Sequence, residues 1–295
     1  MEVYPRLHHI SLGATSRYAI VSESGDITLT DPGSSSHLSA LEERLSRSGL
    51  SLSRVVRVLV THLDADRVGA LPALREKIPG LQLVGTSAME SALKKGSLLE
   101  ELADADLALA SELGVLQGKP PTAEALRKAL RFEKLLADGE SLAIDEDIAI
   151  RCVSTPGHRE HSVSYLVQPH GFLISDETLG YYNGRRLSAP GADFSMSAAL
   201  TSIGRFSDLE LSGIGFSYGG CITGGLVRKH LEAIVQNTKD LLAEVKRAKF
   251  EGLGEEEIRA QVREAFYLPA LQDACLVRSL QHTLDSVWSQ AKAAT

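Results

Sequence analysis

The chain opens with short apolar runs separated by turn residues. Leu7 to Leu12, Tyr18 to Val21 and Ile27 to Leu29 each have the length of a strand, and Ser24-Gly25-Asp26 between the last two has the composition of a hairpin turn. From Ser36 to about Ser48 the pattern changes to helical spacing, with Leu38, Leu41 and Leu45 recurring on one face. Val55 to Val60 is then a mostly apolar run, of the kind found in a strand covered on both faces. A second helix over Val68 to Lys77 stops at Pro79-Gly80 and leads into a short strand at Leu81 to Val84.

The stretch from Thr86 to Leu136 has another character. It is rich in Ala, Leu, Glu and Lys, is broken at Gly118-Lys119-Pro120-Pro121, and reads as helices inserted between strands. Strand signals return at Asp147 to Val153, where alternation puts Ile148, Ile150 and Cys152 on one face. Two more strands, Val163 to Val167 and Phe172 to Ser175, flank a turn at Pro169-His170-Gly171. A helix is expected from about Ser195 to Arg205 and a last buried strand from Leu211 to Phe216. Beyond Gly225 the chain reads as helical, with breaks at Gly252-Leu253-Gly254 and Pro269. The expected organisation is a domain over residues 1–225, interrupted by the insertion at about 86–136, and a helical extension over residues 226–295.

Composition narrows the classes. Lys and Arg total 31 against 38 Asp and Glu, a net charge of −7, which argues against a general nucleic-acid binder. With 43% hydrophobic and 23% charged residues the chain is an ordinary globular one. Cys152, Cys221 and Cys275 are far apart and form no CxxC pair, which excludes a disulfide framework and a zinc ribbon and points to a reducing compartment. Met1 to Arg6 lacks a basic segment followed by an apolar run, and no stretch approaches the roughly 18 consecutive apolar residues of a spanning helix. A soluble cytoplasmic protein that binds a small molecule, with no membrane and no nucleic-acid partner, is the expectation.

Four segments gather polar residues just after strands, where α/β proteins build their sites. They are Val60-Thr61-His62-Leu63-Asp64-Ala65-Asp66-Arg67-Val68-Gly69, Ser154-Thr155-Pro156-Gly157-His158-Arg159-Glu160-His161-Ser162, Leu173-Ile174-Ser175-Asp176-Glu177 and Phe216-Ser217-Tyr218-Gly219-Gly220-Cys221. In this order they resemble the metallo-β-lactamase superfamily, whose signature is T-H-x-H-x-D-H-x-G, then T-P-G-H, then an Asp ending a strand, then G-H-G. The resemblance covers roughly residues 6–225 and implies an α/β fold, the four-layer αβ/βα sandwich. Ser175 to Tyr181, the helical insertion and the helical tail also look like the subgroup that contains the quinolone-signal response thioesterase.

Against the family pattern His62, Asp66, His158 and Asp176 are kept, while Asp64 replaces the second His, Arg67 the third and Tyr218 the last. Carried over residue by residue, the resemblance implies a first metal site of His62, Asp64 and His158 with Asp176. The second site keeps only Asp66 and Asp176. Asp64, Asp66 and Asp176 with Arg67 sum to −2 in a cleft, so one divalent metal would balance the charge, with Arg67 pairing with Asp66 where a second metal would sit. Two histidines with carboxylates suit zinc, iron or manganese.

The expected function is hydrolysis of an ester or thioester, with Asp66, Arg67 and Tyr218 as the catalytic candidates. Asp66 or Asp176 would orient a metal-bound water, Arg67 would meet an anionic substrate group or oxyanion, and Tyr218 reads as a hydrogen-bonding or packing residue rather than a ligand. Two other readings stand beside it. One is a metal-poor binding or regulatory protein that lost hydrolysis, in which the same residues only hold loops. The other is mononuclear-iron redox chemistry, since His62, His158 and Asp176 match positions that look like the iron ligands of the family's persulfide dioxygenases. His161 reads as an exposed loop residue, Cys221 as core, and Asp31-Pro32-Gly33 as a structural turn. The helices of residues 86–136 and 226–292 would cap the cleft, form a homodimer interface, or simply pack on the sandwich.

Overall fold

The opening series of apolar runs becomes an antiparallel meander of β1 (Glu2–Tyr4), β2 (Leu7–Leu12), β3 (Thr15–Val21) and β4 (Ile27–Thr30) in the computed structural model, which describes residues 1–112, 120–181 and 189–267 together with Thr283, Asp285 and Trp288. Helix α1 (Leu38–Arg47) leads to β5 (Val55–Leu59), which pairs in parallel with β4. Helices α2 (Ala65–Val68) and α3 (Leu71–Lys77) precede β6 (Gln82–Gly85), again parallel. The insertion supplies α4 (Ser87–Ala92), α5 (Leu98–Glu112) and α6 (Ala123–Ala129), then returns to the sheet as β7 (Lys134–Leu135). The breaks expected at Gly118-Lys119 and Pro269 lie outside the described residues.

A second sheet runs in the order β13-β12-β11-β10-β9-β8, built from β8 (Ser141–Ala143), β9 (Ala149–Ser154), β10 (Val163–Gln168), β11 (Phe172–Ile174), β12 (Gly213–Gly215) and β13 (Cys221–Thr223). Helix α7 (Met196–Ser207) enters between β11 and β12, and α8 (Gly225–Phe250) and α9 (Glu255–Val262) follow β13. The two sheets face each other. Leu7, Ile10, Ile20 and Leu29 of the first share one core with Ile150, Cys152, Tyr165 and Phe172 of the second. On the far side of the second sheet Leu173 and Ile214 pack with Ile203 and Phe206 of α7 and Leu231 and Ile234 of α8. The expected α/β sandwich is therefore the observed fold. Among the described residues no helix is long and apolar enough to cross a membrane.

Two contacts place the insertion against the site. The Asp106 carboxylate, on α5 and fully buried, accepts from Ser35 N at 2.9 Å and from the Ser35 hydroxyl. Gly69, which caps α2, lies so close beneath it that a Cβ there would overlap the same carboxylate. Gly69→Ala is accordingly expected to cost about 1–3 kcal/mol, the usual range for forcing extra carbon into a packed site. Urea unfolding reads it, and an unchanged midpoint would mean that α5 is not seated where the structure puts it.

Candidate metal centre

Four chain segments converge at one edge of the sandwich. β5 delivers Thr61 and His62, the β9–β10 connection delivers His158 and Arg159, β11 runs into Asp176 and Glu177, and β12 leads to Tyr218. Backbone hydrogen bonds tie the two sheets together here, from Val163 N to Thr61 O at 2.9 Å and from Ser16 N to Ser217 O at 2.8 Å.

The state of His62 follows from its neighbours. The Thr61 hydroxyl donates to Asp31 Oδ2 at 2.6 Å while the Thr61 backbone N–H donates to Oδ1 at 2.9 Å. With its single hydrogen so used, Thr61 Oγ1 can only accept from His62 Nδ1, 3.0 Å away. Nδ1 therefore carries the ring proton and Nε2 presents a bare lone pair. Burial reinforces this, holding the imidazole well below its ordinary range despite Asp64 nearby. Asp31, read from sequence as a turn residue, is thus the anchor of this arrangement. His62 Nε2 itself has no hydrogen-bond partner among the described residues.

That lone pair looks into a small group of donor atoms. It lies 3.6 Å from Asp64 Oδ2 and 3.7 Å from Glu177 Oε1, and His158 Nε2 lies 3.1 Å and 3.7 Å from the same two oxygens. One donor atom from each of His62, Asp64, His158 and Glu177 falls within 4.8 Å of all the others. A tetrahedral cation site with bonds of about 2.0–2.2 Å has edges of about 3.4 Å, which the four measured separations bracket. Two imidazoles and two carboxylates are also donor types that a divalent ion takes. The residues present fit one such ion.

Two guanidiniums back the carboxylates. Arg159 forks onto Asp64, Nε to Oδ1 at 2.8 Å and Nη2 to Oδ2 at 2.9 Å. Burial disfavours ionised Asp64, but Arg159 and His158 outweigh it and hold the carboxyl well below its ordinary range. For His158, burial is likewise outweighed, by Glu177, Asp193 and Asp64, so the imidazole is held well above its usual range. Arg67 Nη2 lies 3.0 Å from Glu177 Oε1 and 3.2 Å from Asp66 Oδ2. Tyr218 donates to Asp66 Oδ2 at 2.7 Å and its ring lies under the Arg67 guanidinium at 4.8 Å.

Several expected residues sit differently from the sequence reading. Asp176 does not join the donor group: its carboxylate accepts from Thr178 Oγ1 at 2.8 Å and Thr155 Oγ1 at 3.3 Å, and burial pushes it up to about 6. The turn after β11 presents Glu177 in its place. Arg67 has no exposed surface and does not line the cavity, whereas Arg159 does. His161 is not an exposed loop residue; its Nε2 accepts from Leu63 N–H at 3.1 Å and so steadies the loop that carries Asp64. Glu177, Arg159 and Asp193 were missed. The first two stand next to motif residues, Asp176 and His158, which was the available signal; Asp193 had none.

A cavity of about 620 Å³ opens onto the group. Leu98, Leu102, Ala105 and Leu109 of α5 form its apolar wall, facing Asp64, Asp66, Arg159, Glu177 and Tyr218. The model of the metallo-beta-lactamase superfamily matches residues 11–188, which span all three segments that supply the donors. The chain belongs to the metallo-beta-lactamase superfamily. Among relatives, the metallo-beta-lactamase fold-containing protein ST1585 of Sulfurisphaera tokodaii is 26% identical over 188 residues, 62% of this chain and 68% of that one. The metallo-beta-lactamase family protein TTHA1429 from Thermus thermophilus superposes with a TM-score of 0.67 at 18% identity, over 99% of this chain and 96% of its own. A beta-lactamase domain protein from Burkholderia ambifaria gives 0.67 at 22% identity, over 100% and 88%.

Proposed function

We propose that the protein is a hydrolase that uses one divalent metal, held by His62, Asp64, His158 and Glu177, to open an ester or thioester of a small molecule bound along α5. The observation that carries this reading is the neutral, unpartnered Nε2 of His62, aimed at three further donors at cation-site separations. A bound divalent metal would supply Lewis acidity and a water ionising near neutrality. The chain's own residues do the rest. Asp66 lines the cavity and, held by Tyr218 and Arg67, is set to accept a proton from a water beside it. Arg159, part-exposed in the cavity, offers an anionic substrate group a cation. The α5 wall excludes water from an apolar acyl chain. Arg67 touches no substrate and acts by holding Asp66 and Glu177.

A second reading, a metal-poor binding protein, is supported by the same two arginines, since Arg159 on Asp64 and Arg67 on Glu177 neutralise both carboxylates without an ion. Elemental analysis of protein purified without added metal separates the two. The expected result is about one equivalent of zinc, iron or manganese, lost in His62→Ala and His158→Ala while both variants stay folded, and with it the turnover of acyl thioesters or aryl esters. Metal-free protein whose thermal midpoint is indifferent to chelator would overturn the hydrolase reading in favour of binding. Two equivalents would show that Arg67 and Tyr218 do not close the second site.

A further inference from the structure

Behind His158 lies a carboxylate that the proposed mechanism has not used. The Asp193 side chain is only 3% exposed, and its Oδ2 faces His158 Nδ1 at 3.6 Å and Arg159 Nη2 at 3.5 Å. Both Oδ2 and Nδ1 are buried without a hydrogen-bond partner among the described residues, and Oδ2 faces the two donors His158 Nδ1 and Arg159 Nη2 at nearly equal range. The segment that carries Asp193 is clamped to the histidine loop. Phe194 N donates to the carbonyls of Gly157 and His158 at 3.1 and 3.0 Å, and Ser195 N to Gly157 O at 3.0 Å. Gly157 permits this approach, because a Cβ there would stand 2.8 Å from the Ala199 backbone.

The other oxygen of Asp193 is held from the far end of the chain. Thr283, fully buried, donates its hydroxyl to Asp193 Oδ1 at 2.6 Å and accepts from Ala192 N at 3.2 Å. With Oδ1 taken by Thr283, Oδ2 is left to turn toward the ring. We infer that Asp193 and Thr283 are positioning residues for the candidate metal centre: Thr283 orients Asp193, and Asp193 accepts a hydrogen bond from the Nδ1–H of His158 and so points Nε2 at the ion. The helical extension thereby contributes to the site a residue that stands 125 positions after the histidine it serves.

This rests on the metal reading above, and the test keeps the two apart. Metal affinity of the full chain is measured by competition of zinc against a chromophoric chelator, alongside the thermal midpoint of each metal-free variant. Outer carboxylate partners of metal-bound histidines are worth about 10–100-fold in affinity. Thr283→Val is expected to weaken zinc about ten-fold and Thr283→Ser to restore it. Asp193→Asn should weaken zinc at least as much, and Thr283→Val added to Asp193→Asn should weaken it no further, because both act through one carboxylate. Unaltered zinc affinity in both Thr283→Val and Asp193→Asn would overturn the inference while leaving the metal reading intact. So would additive losses, or a loss in Thr283→Val that serine fails to restore. Wild-type protein that takes up no zinc fails the metal reading itself and the inference with it. If Thr283→Val does not fold, the near-isosteric Asp193→Asn and Thr283→Ser carry the comparison.

Discussion

Replacing Arg67 with leucine is expected to cost the metal-free fold about 3–5 kcal/mol and to lower its thermal midpoint by about 10 °C. The guanidinium has no exposed surface, and burial by itself disfavours its charge. Asp66, Tyr218, Glu177 and Asp31 surround it, outweigh the burial and together hold its pKa well above the ordinary value. Leucine would fill the volume but leave Asp66 at 3.2 Å and Glu177 at 3.0 Å facing an apolar group instead of a cation. Buried carboxylates so abandoned lose their guanidinium and keep hydroxyl donors, Tyr218 on Asp66 and Tyr181 on Glu177, at 2.7 and 2.9 Å. Lysine restores one compact charge without the planar fork, so Arg67→Lys should recover part of the loss. Added zinc should narrow the gap between wild type and Arg67→Leu, because an ion on Glu177 replaces part of what the guanidinium did. Calorimetry with and without chelator reads all three, and a metal-free Arg67→Leu protein with the wild-type midpoint would mean that these carboxylates are not charged where the structure places them.

Acid should loosen the fold through histidines buried in their neutral form. His9, His161 and His230 are each pushed down to about 4, in every case chiefly by burial. His230 is the cleanest case because it sits away from the candidate metal centre, on α8, with Nε2 donating to Leu179 O at 2.9 Å and its ring against Phe216. The unfolded chain takes up this proton near pH 6.5 and the folded chain only near 4, so stability is fully present above 6.5 and falls as the pH drops toward 4. At pH 5 the loss amounts to about 2 kcal/mol for one such histidine. Asp176 works in the opposite sense: raised to about 6 by burial, it favours the fold on acidification by about 1 kcal/mol at pH 5. The clean measurement is therefore a difference. Urea unfolding at pH 7 and pH 5 should show His230→Gln, which keeps an N–H for Leu179, losing about 2 kcal/mol less than wild type over that interval. Equal losses would show that His230 is hydrated, or already charged, in the folded protein.

Much of the sandwich was legible in the chain because its strands obey simple periodicity. β2 was expected over Leu7 to Leu12 and occupies those residues, and Ile148, Ile150 and Cys152 share the buried face that their alternation indicated. The short strands β1, β7, β8 and β13 escaped because two or three residues are too few to display a period, and each lies at the edge of its sheet, defined by its pairing to one neighbour. The histidines were legible for another reason, since motif residues announce themselves by type and spacing. Which of two adjacent acids turns inward was not: Asp176 and Glu177 differ by one step along a tight turn, and the choice is made by Thr155 and Thr178, which capture the first and leave the second for the donor group. Arg159 was adjacent to a motif and overlooked. Asp193 and Thr283 belong to a contact between segments 90 positions apart, and no local pattern encodes such a meeting.

The pin between Asp106 and Ser35 has a consequence for how this molecule could change its taste. Among the described residues helix α5 is hydrogen-bonded to the frame through Asp106, beside Gly69, while the apolar residues it turns toward the cavity make no hydrogen bond to the donor residues. On the proposed function, recognition and reactivity are thus written in separate stretches of the chain. Leu98, Leu102, Ala105 and Leu109 can be redrawn to admit another guest, as one recuts the bow of a key, while the wards formed by His62, Asp64, His158 and Glu177 stay as they are.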